Sequence, residues 1–287
     1  MKNFLLYSFA LLACVSLLPL APKLFPPKTE ETPRLIHLLE TQTGEVRLLP
    51  LEDYVIGVLT EADYPCAGEA LKAVAVAVRS SAAYCEQNRP VHPDAAACDD
   101  PACCAPFTTA HFSDPAVEAA SETAGLLLTY HGEPAAALTF ASGGKYTASS
   151  LSVYGVDVPY LSGVENVEEN ALTLRSWAED DFLARVGMSA DADSLFLAYD
   201  ESGRVCAAQL GYHAEQISGE QLASALALPS CFFTLEQTEH TVTARCEGAG
   251  DGVGMSRNGA SILAENGMDF REILAFYFPG TEIRENA

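Results

Sequence analysis

Positive charge is scarce in this chain. Its 16 lysines and arginines stand against 39 acids, for a net charge of −23. Non-specific binding to a polyanion needs dense cationic neutralisation, so nucleic acid is excluded as a partner. Disorder along most of the chain is excluded too, because 49% of residues are hydrophobic and only 19% charged. No internal repeat recurs at a solenoid period. The conspicuous glycine string, Gly248-Ala249-Gly250-Asp251-Gly252-Val253-Gly254, lacks both the P-loop lysine and the G-x-G-x-x-G frame. A phosphate loop is thereby excluded, and the glycines read instead as tight packing against other backbone.

What is present begins with an address. Phe4 to Leu20 carries no charge and is almost wholly apolar. That run sits at the short limit of a membrane-spanning helix and is longer than most cleaved leader cores. Pro19 and Pro22 crowd the place where a cleavage site would sit. Residues 1–21 therefore read as an uncleaved single-pass anchor, with a cleaved signal peptide or a lipid anchor at Cys14 as alternatives. All three place the remainder outside the cytoplasm. Pro22, Pro26, Pro27 and Pro33 make residues 22–34 a stiff stalk. Residues 35–287 are left as the ectodomain, long enough for one large domain or two intimate lobes with a sizeable core.

Local patterns place short strands at Ile36-His37-Leu38 and Val46-Arg47-Leu48-Leu49, around the turn Thr43-Gly44. Pro50 then opens a helix whose stripe is Leu51, Tyr54, Val55, Val58 and Leu59, and Glu61 falls at its end. A second helix from Glu69 to about Cys85 has the stripe Leu71, Val74, Ala75 and Val78, with Lys72 and Arg79 at its edge. Leu126–Tyr130 and Ala136–Phe140 read as paired strands about His131-Gly132, the second interrupted by Ser142-Gly143-Gly144. A hairpin is expected around Ser202-Gly203, and capping pairs Ser218/Gln221 and Asp269/Glu272 open two later helices. Strands and helices mixed without βαβ regularity indicate an α+β fold with packed helices. The ten acids between Glu165 and Glu201, set against two arginines, read as a solvated face.

The sharpest chemical signal is His92, Cys98, Cys103 and Cys104, spaced H-x5-C-x4-C-C in a loop rich in proline and aspartate. Three thiolates and an imidazole match the ligand set of a tetrahedral structural zinc, which would order a loop with little core of its own. Disulfide pairing is the competing reading. Cys66 with Cys85, and Cys206 with Cys231 or Cys246, are further candidate bridges.

Several motifs in the same order resemble the stage II sporulation protein D family, peptidoglycan lytic transglycosylases related to the amidase enhancers. They are Pro50-Leu51-Glu52-Asp53-Tyr54-Val55-Ile56-Gly57-Val58, Glu69-Ala70-Leu71-Lys72-Ala73 through Val78-Arg79, and the cysteine loop. Ser142-Gly143-Gly144, Val158-Pro159-Tyr160-Leu161 and Gly252-Val253-Gly254-Met255-Ser256 with Gly259-Ala260 complete the set. The resemblance runs from about residue 45 to 284. It implies that Glu61 is the catalytic acid, although this chain reads Glu61-Ala62-Asp63 where the family has Glu-Met-Pro, which leaves Asp63 as a second candidate. It implies a zinc loop in which Cys103 stands in place of the family's second histidine. Gly250-Asp251 replaces the family's Gly-His.

The activity so implied is non-hydrolytic cleavage of the bond between N-acetylmuramic acid and N-acetylglucosamine in glycan strands, leaving 1,6-anhydro ends. Protonated Glu61 would give its proton to the leaving oxygen and then assist attack by the muramyl 6-hydroxyl, unlike the two-carboxylate hydrolases. Such an acid must be desolvated to hold its proton near neutral pH. Lys72, Arg79, Ser142, Gly143 and Gly144 would bind substrate, in a locally basic cleft that also includes Lys145. The resemblance further implies peptidoglycan and the stage II sporulation proteins P and M as partners. A non-catalytic amidase enhancer or wall-binding module on the same fold is the alternative.

Overall fold

The computed structural model describes residues 33–61, 68–100, 103–168, 172–188, 195–211 and 216–285. The first elements follow the hydrophobic pattern closely. Strands β1 (Leu35–Leu39) and β2 (Val46–Pro50) pair antiparallel, and α1 (Leu51–Glu61) starts directly after Pro50. All five stripe residues of α1 are buried. Helix α2 (Glu69–Asn88) runs on past the expected end at Cys85 to Asn88. Its small residues let neighbours approach on every side, so Ala70, Ala73, Val74, Ala75, Val76 and Ala77 are all fully buried.

Strand β3 (Ala97–Cys98) adds parallel to β1, pairing Leu39 with Cys98. After α3 (Asp114–Glu122), strand β4 (Leu126–Tyr130) turns at His131-Gly132, both at positive φ. The return strand is not the expected Ala136–Phe140 but the shorter β5 (Glu133–Pro134). Pro134 has no amide hydrogen to extend the ladder. Thr139-Phe140, as β6, instead pairs parallel with β13 (Met255–Ser256). Helix α4 (Ser150–Tyr154) follows, capped by Ser149.

Strands β7 (Leu172–Ala178), β11 (Phe233–Gln237) and β12 (Thr241–Glu247) form one antiparallel sheet in the order β11-β12-β7. Strands β8 (Leu195–Tyr199), β9 (Val205–Leu210) and β10 (Gln216–Ser218) form another, with the expected hairpin between β8 and β9. Helices α5 (Glu179–Val186) and α6 (Gly219–Ala225) pack with these two sheets. The chain ends in α7 (Arg257–Glu265), α8 (Phe270–Tyr277) and β14 (Glu282–Glu285), the last strand pairing antiparallel with β4. Both expected capping boxes are present, Ser218 with Gln221 and Asp269 with Glu272.

The fold is therefore mixed α+β, built of several small sheets and eight α-helices among the described residues. Residues Arg34–Ala287 make one unit rather than two, although their apolar side chains gather in two clusters. One cluster surrounds α2 with α1, α3, α7 and α8. The other holds Phe182, Val205, Leu222, Leu226, Phe233 and Ala244.

The expected single-pass membrane localisation is corrected. Among the described residues no helix is long and apolar enough to cross a membrane. Helix α2 has the 20 residues needed but carries Glu69, Lys72, Arg79 and Glu86. The run from Phe4 to Leu20 and nearly all of the stalk lie outside the described residues.

Candidate functional site

The cysteine loop is held in place by backbone on both sides. Cys98 sits on β3 beside β1, and the amides of Cys103 and Cys104 donate to the Asp100 carbonyl at 3.0 and 2.9 Å. Asp99 accepts from the Thr41 amide at 2.8 Å and the Thr41 hydroxyl at 2.6 Å, tying the loop to the β1–β2 turn. These restraints bring the ligand atoms of His92, Cys98, Cys103 and Cys104 within 4.8 Å of one another. His92 Nε2 lies 3.4 Å from Cys104 Sγ and 3.5 Å from Cys103 Sγ. A tetrahedral zinc with ordinary bond lengths has N···S edges of about 3.6 Å, so the donor set fits such an ion in both chemistry and spacing. Burial, with the neighbouring Cys98 and Cys103 thiols, pushes the Cys104 thiol up to about 12. A divalent cation among these thiols would reverse that shift and hold them as thiolates.

No disulfide forms among the described cysteines: Cys85, Cys98, Cys103, Cys104, Cys206, Cys231 and Cys246 all carry free thiols. The candidate bridges from Cys206 to Cys231 or Cys246 are thereby corrected. Cys66 and Asp63 lie outside the described residues.

The exit of this loop is clamped onto α1. The Thr108 amide donates to the Gly57 carbonyl at 3.3 Å, and the Ser113 amide to Thr60 Oγ1 at 3.1 Å. Phe107 packs its ring against Tyr54, with centroids 5.4 Å apart. Only glycine fits at position 57, since a Cβ there would overlap the Thr108 carbonyl oxygen. Glu61 is the next residue after this clamp, at the very end of α1, and its side chain is exposed. The desolvation expected for a catalytic acid is therefore not provided by the described residues, because a helix terminus facing solvent has no apolar cover.

The expected substrate cations are used internally. Arg79 is 1% exposed and donates from Nε and Nη2 to both Glu52 oxygens, each at 2.7 Å. Its remaining donors reach the carbonyls of Ala120 and Leu126, which binds α1, α2 and the end of α3 together. Lys72 pairs with Glu69 and Glu122, both at 2.6 Å, and these hydrogen bonds raise its pKa. Lys145 lies over the Tyr146 ring, 5.4 Å from its centroid. Lys72 and Arg79, seven residues apart on α2, thus both face α3 and are engaged by carboxylates of the fold.

Ser142-Gly143-Gly144 also turns inward. Ser142 Oγ and the Gly143 amide donate to Glu168, the amide at 2.9 Å. Glu168 further accepts from Ser256 Oγ, Asn166 Nδ2 at 2.8 Å and Asn258 Nδ2 at 3.0 Å. Only 6% exposed, it is the hub at which Ser142-Gly143 and the Gly252–Ser256 motif meet. Burial alone would raise its pKa, but the hydrogen bonds from Ser142, Ser256, Asn258 and the Gly143 amide outweigh that and hold it below the ordinary 4.5. Among its described residues the acid-rich segment 165–201 thus hides a buried carboxylate that its composition did not reveal. The glycine string packs as expected: Ala249 exchanges backbone hydrogen bonds with Ser142 at 3.1 and 2.8 Å, and Val253 bridges Ala148.

A cleft of about 510 Å³ opens elsewhere, lined by Tyr154, Asp200, Arg204, Glu220, Cys231 and Asp251 among others. Tyr154 donates to Asp251, the residue that stands where the family has histidine. None of the described residues expected in the site lines it.

Fold and site together define a mixed α+β protein with a four-donor, metal-competent loop fastened beside a helix-terminal glutamate. Residues 39–130 match the family model described as Stage II sporulation protein. Stage II sporulation protein D of Bacillus amyloliquefaciens is 26% identical over 285 residues, covering 90% of this chain and 81% of that protein. The protein of the same name from Bacillus subtilis (strain 168) is 26% identical over 275 residues, covering 88% and 80% respectively. The Amidase enhancer of Bacillus subtilis (strain 168) is more distant, 24% identical with 58% of this chain and 32% of that protein covered. The family model and these relatives together support the stage II sporulation protein D family for this chain.

Proposed function

We propose that this protein is a sporulation-associated lytic transglycosylase acting on denuded peptidoglycan glycan strands, with Glu61 as its acid and a structural zinc in the cysteine loop. The observation that carries this reading is the clamp of Thr108 and Ser113 on Gly57 and Thr60, which fastens a metal-competent loop one residue from the candidate acid. His92, Cys98, Cys103 and Cys104 would hold the ion. With four protein ligands no open position remains for water, so the metal would supply rigidity rather than chemistry.

Glu61, exposed in the free protein, would be covered by the sugar itself. The bound ring excludes water from the carboxyl, which gives its proton to the leaving glycosidic oxygen. The carboxylate so formed accepts the proton of the muramyl 6-hydroxyl as that oxygen closes on the anomeric carbon. One carboxyl serves both steps, and no water is consumed.

A second reading rests on specific observations. The exposure of Glu61, and the pairing of Lys72 and Arg79 with carboxylates, suit a non-catalytic enhancer or wall-binding module equally well. Incubating the full chain with denuded strands and examining the ends by mass spectrometry separates the two. Anhydromuramyl ends that vanish in a folded Glu61→Gln variant support the enzyme; strand binding without new ends supports the module.

A further inference from the structure

Helix α4 and its exit carry an apolar surface that the fold leaves uncovered. Leu151 is 56% exposed and Val156 60%, with Val153 and Tyr154 exposed between them. Exposed apolar residues scattered singly are ordinary, but four large ones within six positions form a patch, and such patches mark interaction sites. This one continues into the cleft of about 510 Å³, where Val153 and Tyr154 form part of the wall.

Among the described residues the exposed charge facing this patch is acidic. Asp200, Glu220 and Asp251 line the cleft, and Asp157 follows the patch directly. Glu220 makes no ion pair with a described residue. Among the described lining residues the one cation, Arg204, is 3% exposed. It donates at 2.7 Å to the Gly143 carbonyl and at 2.8 Å to the Tyr146 carbonyl, while its Nε has no hydrogen-bond partner among the described residues. An anionic ligand would meet repulsion here. Among the described lining residues a neutral sugar would find one aromatic ring, Tyr154, between aliphatic shoulders. Aliphatic side chains flanked by ammonium or guanidinium groups satisfy both the apolar patch and its acidic rim.

We propose that α4 and the adjoining cleft dock a segment of a partner protein in which aliphatic residues are flanked by lysine or arginine. The segment lays its aliphatic side chains on Leu151, Val153 and Val156, and its cations meet Glu220 and Asp157. This interface is separate from the glycan reading and does not involve Glu61.

The test uses fluorescence anisotropy on the full-length chain with labelled peptides of equal length, one of leucine and lysine and one of leucine and glutamate. The leucine–lysine peptide should bind, more weakly as salt rises, and the leucine–glutamate peptide should not. Leu151→Ser with Val156→Ser should weaken binding at least about tenfold. Glu220→Gln should weaken it about two- to fivefold, whereas Glu236→Gln, an equal charge change outside the cleft lining, should not. Hydrogen exchange on the unaltered protein gives a readout that needs no variant: bound peptide should protect residues 150–156. The proposal is overturned if Glu236→Gln costs as much as Glu220→Gln, if the double serine variant binds normally, or if protection falls elsewhere. Displacement of the peptide by soluble glycan fragments with the same protection would equally overturn it, assigning the cleft to saccharide.

Discussion

Replacing Gly57 with alanine sets two effects of opposite sign against each other. In a helix interior alanine is favoured over glycine by about 1 kcal/mol, so propensity alone calls for a more stable protein. Packing calls for the reverse. The new Cβ would overlap the Thr108 carbonyl oxygen and lie 3.3 Å from both Thr108 C and N. These are backbone atoms, so relief requires moving the exit of the cysteine loop. Overpacking of this kind costs about 1–3 kcal/mol. The displaced amide also loses its bond to the Gly57 carbonyl, worth about 0.5–1.5 kcal/mol net. The expected balance is a loss of about 1–3 kcal/mol. Urea unfolding with an unchanged slope reads it as a lower midpoint. Zinc per mole of purified chain should fall alongside, because the loop loses its seat. A variant about 1 kcal/mol more stable than the parent, with full zinc, would refute the clamp and leave only propensity.

Other consequences are equally concrete. Glu168→Gln puts amide donors among groups that are themselves donors and should cost at least about 3 kcal/mol, read by the same unfolding assay. Because Glu168 is held below 4.5, its contribution is complete above that pH and disappears as pH falls through its lower native value. The parent should therefore lose stability on the acid side of pH 4.5 more steeply than Glu168→Gln. Arg79→Met should cost about 2–3 kcal/mol and Lys72→Ala less than about 1, since the guanidinium is buried whereas the Lys72 ammonium meets two partly exposed carboxylates. If Arg79→Met left stability intact while weakening glycan binding, Arg79 would be a substrate ligand after all. Chelation of zinc should lower the melting temperature, and Cys104→Ser should bind less metal; full zinc and unchanged melting in that variant would count against the four-donor site.

Much of this was legible in the residues, for identifiable reasons. The stripes of α1 and α2, both capping boxes and the β8–β9 hairpin rest on short-range periodicity and turn chemistry, which tertiary packing did not override. The convergence of His92, Cys98, Cys103 and Cys104 was readable because the four lie within one loop. What depends on distant pairing was not readable. Arg79 looked like a cleft cation because its partner Glu52 is 27 positions away, on a different helix. Phe140 reads as a hairpin residue because nothing local signals its pairing with Ser256. Glu168 vanished into an acidic stretch, although Asn166 two residues before it, amid those charges, marked a polar site that could have been singled out.

The claim that Glu61 cuts glycan without water is tested most directly by digesting denuded strands in heavy-oxygen water and weighing the new muramyl ends. Ends lighter by one water and free of the heavy isotope, produced by the parent and absent with Glu61→Gln, are the expected result. New ends that carry the isotope, an equal yield from Glu61→Gln, or no new ends from the parent would contradict it.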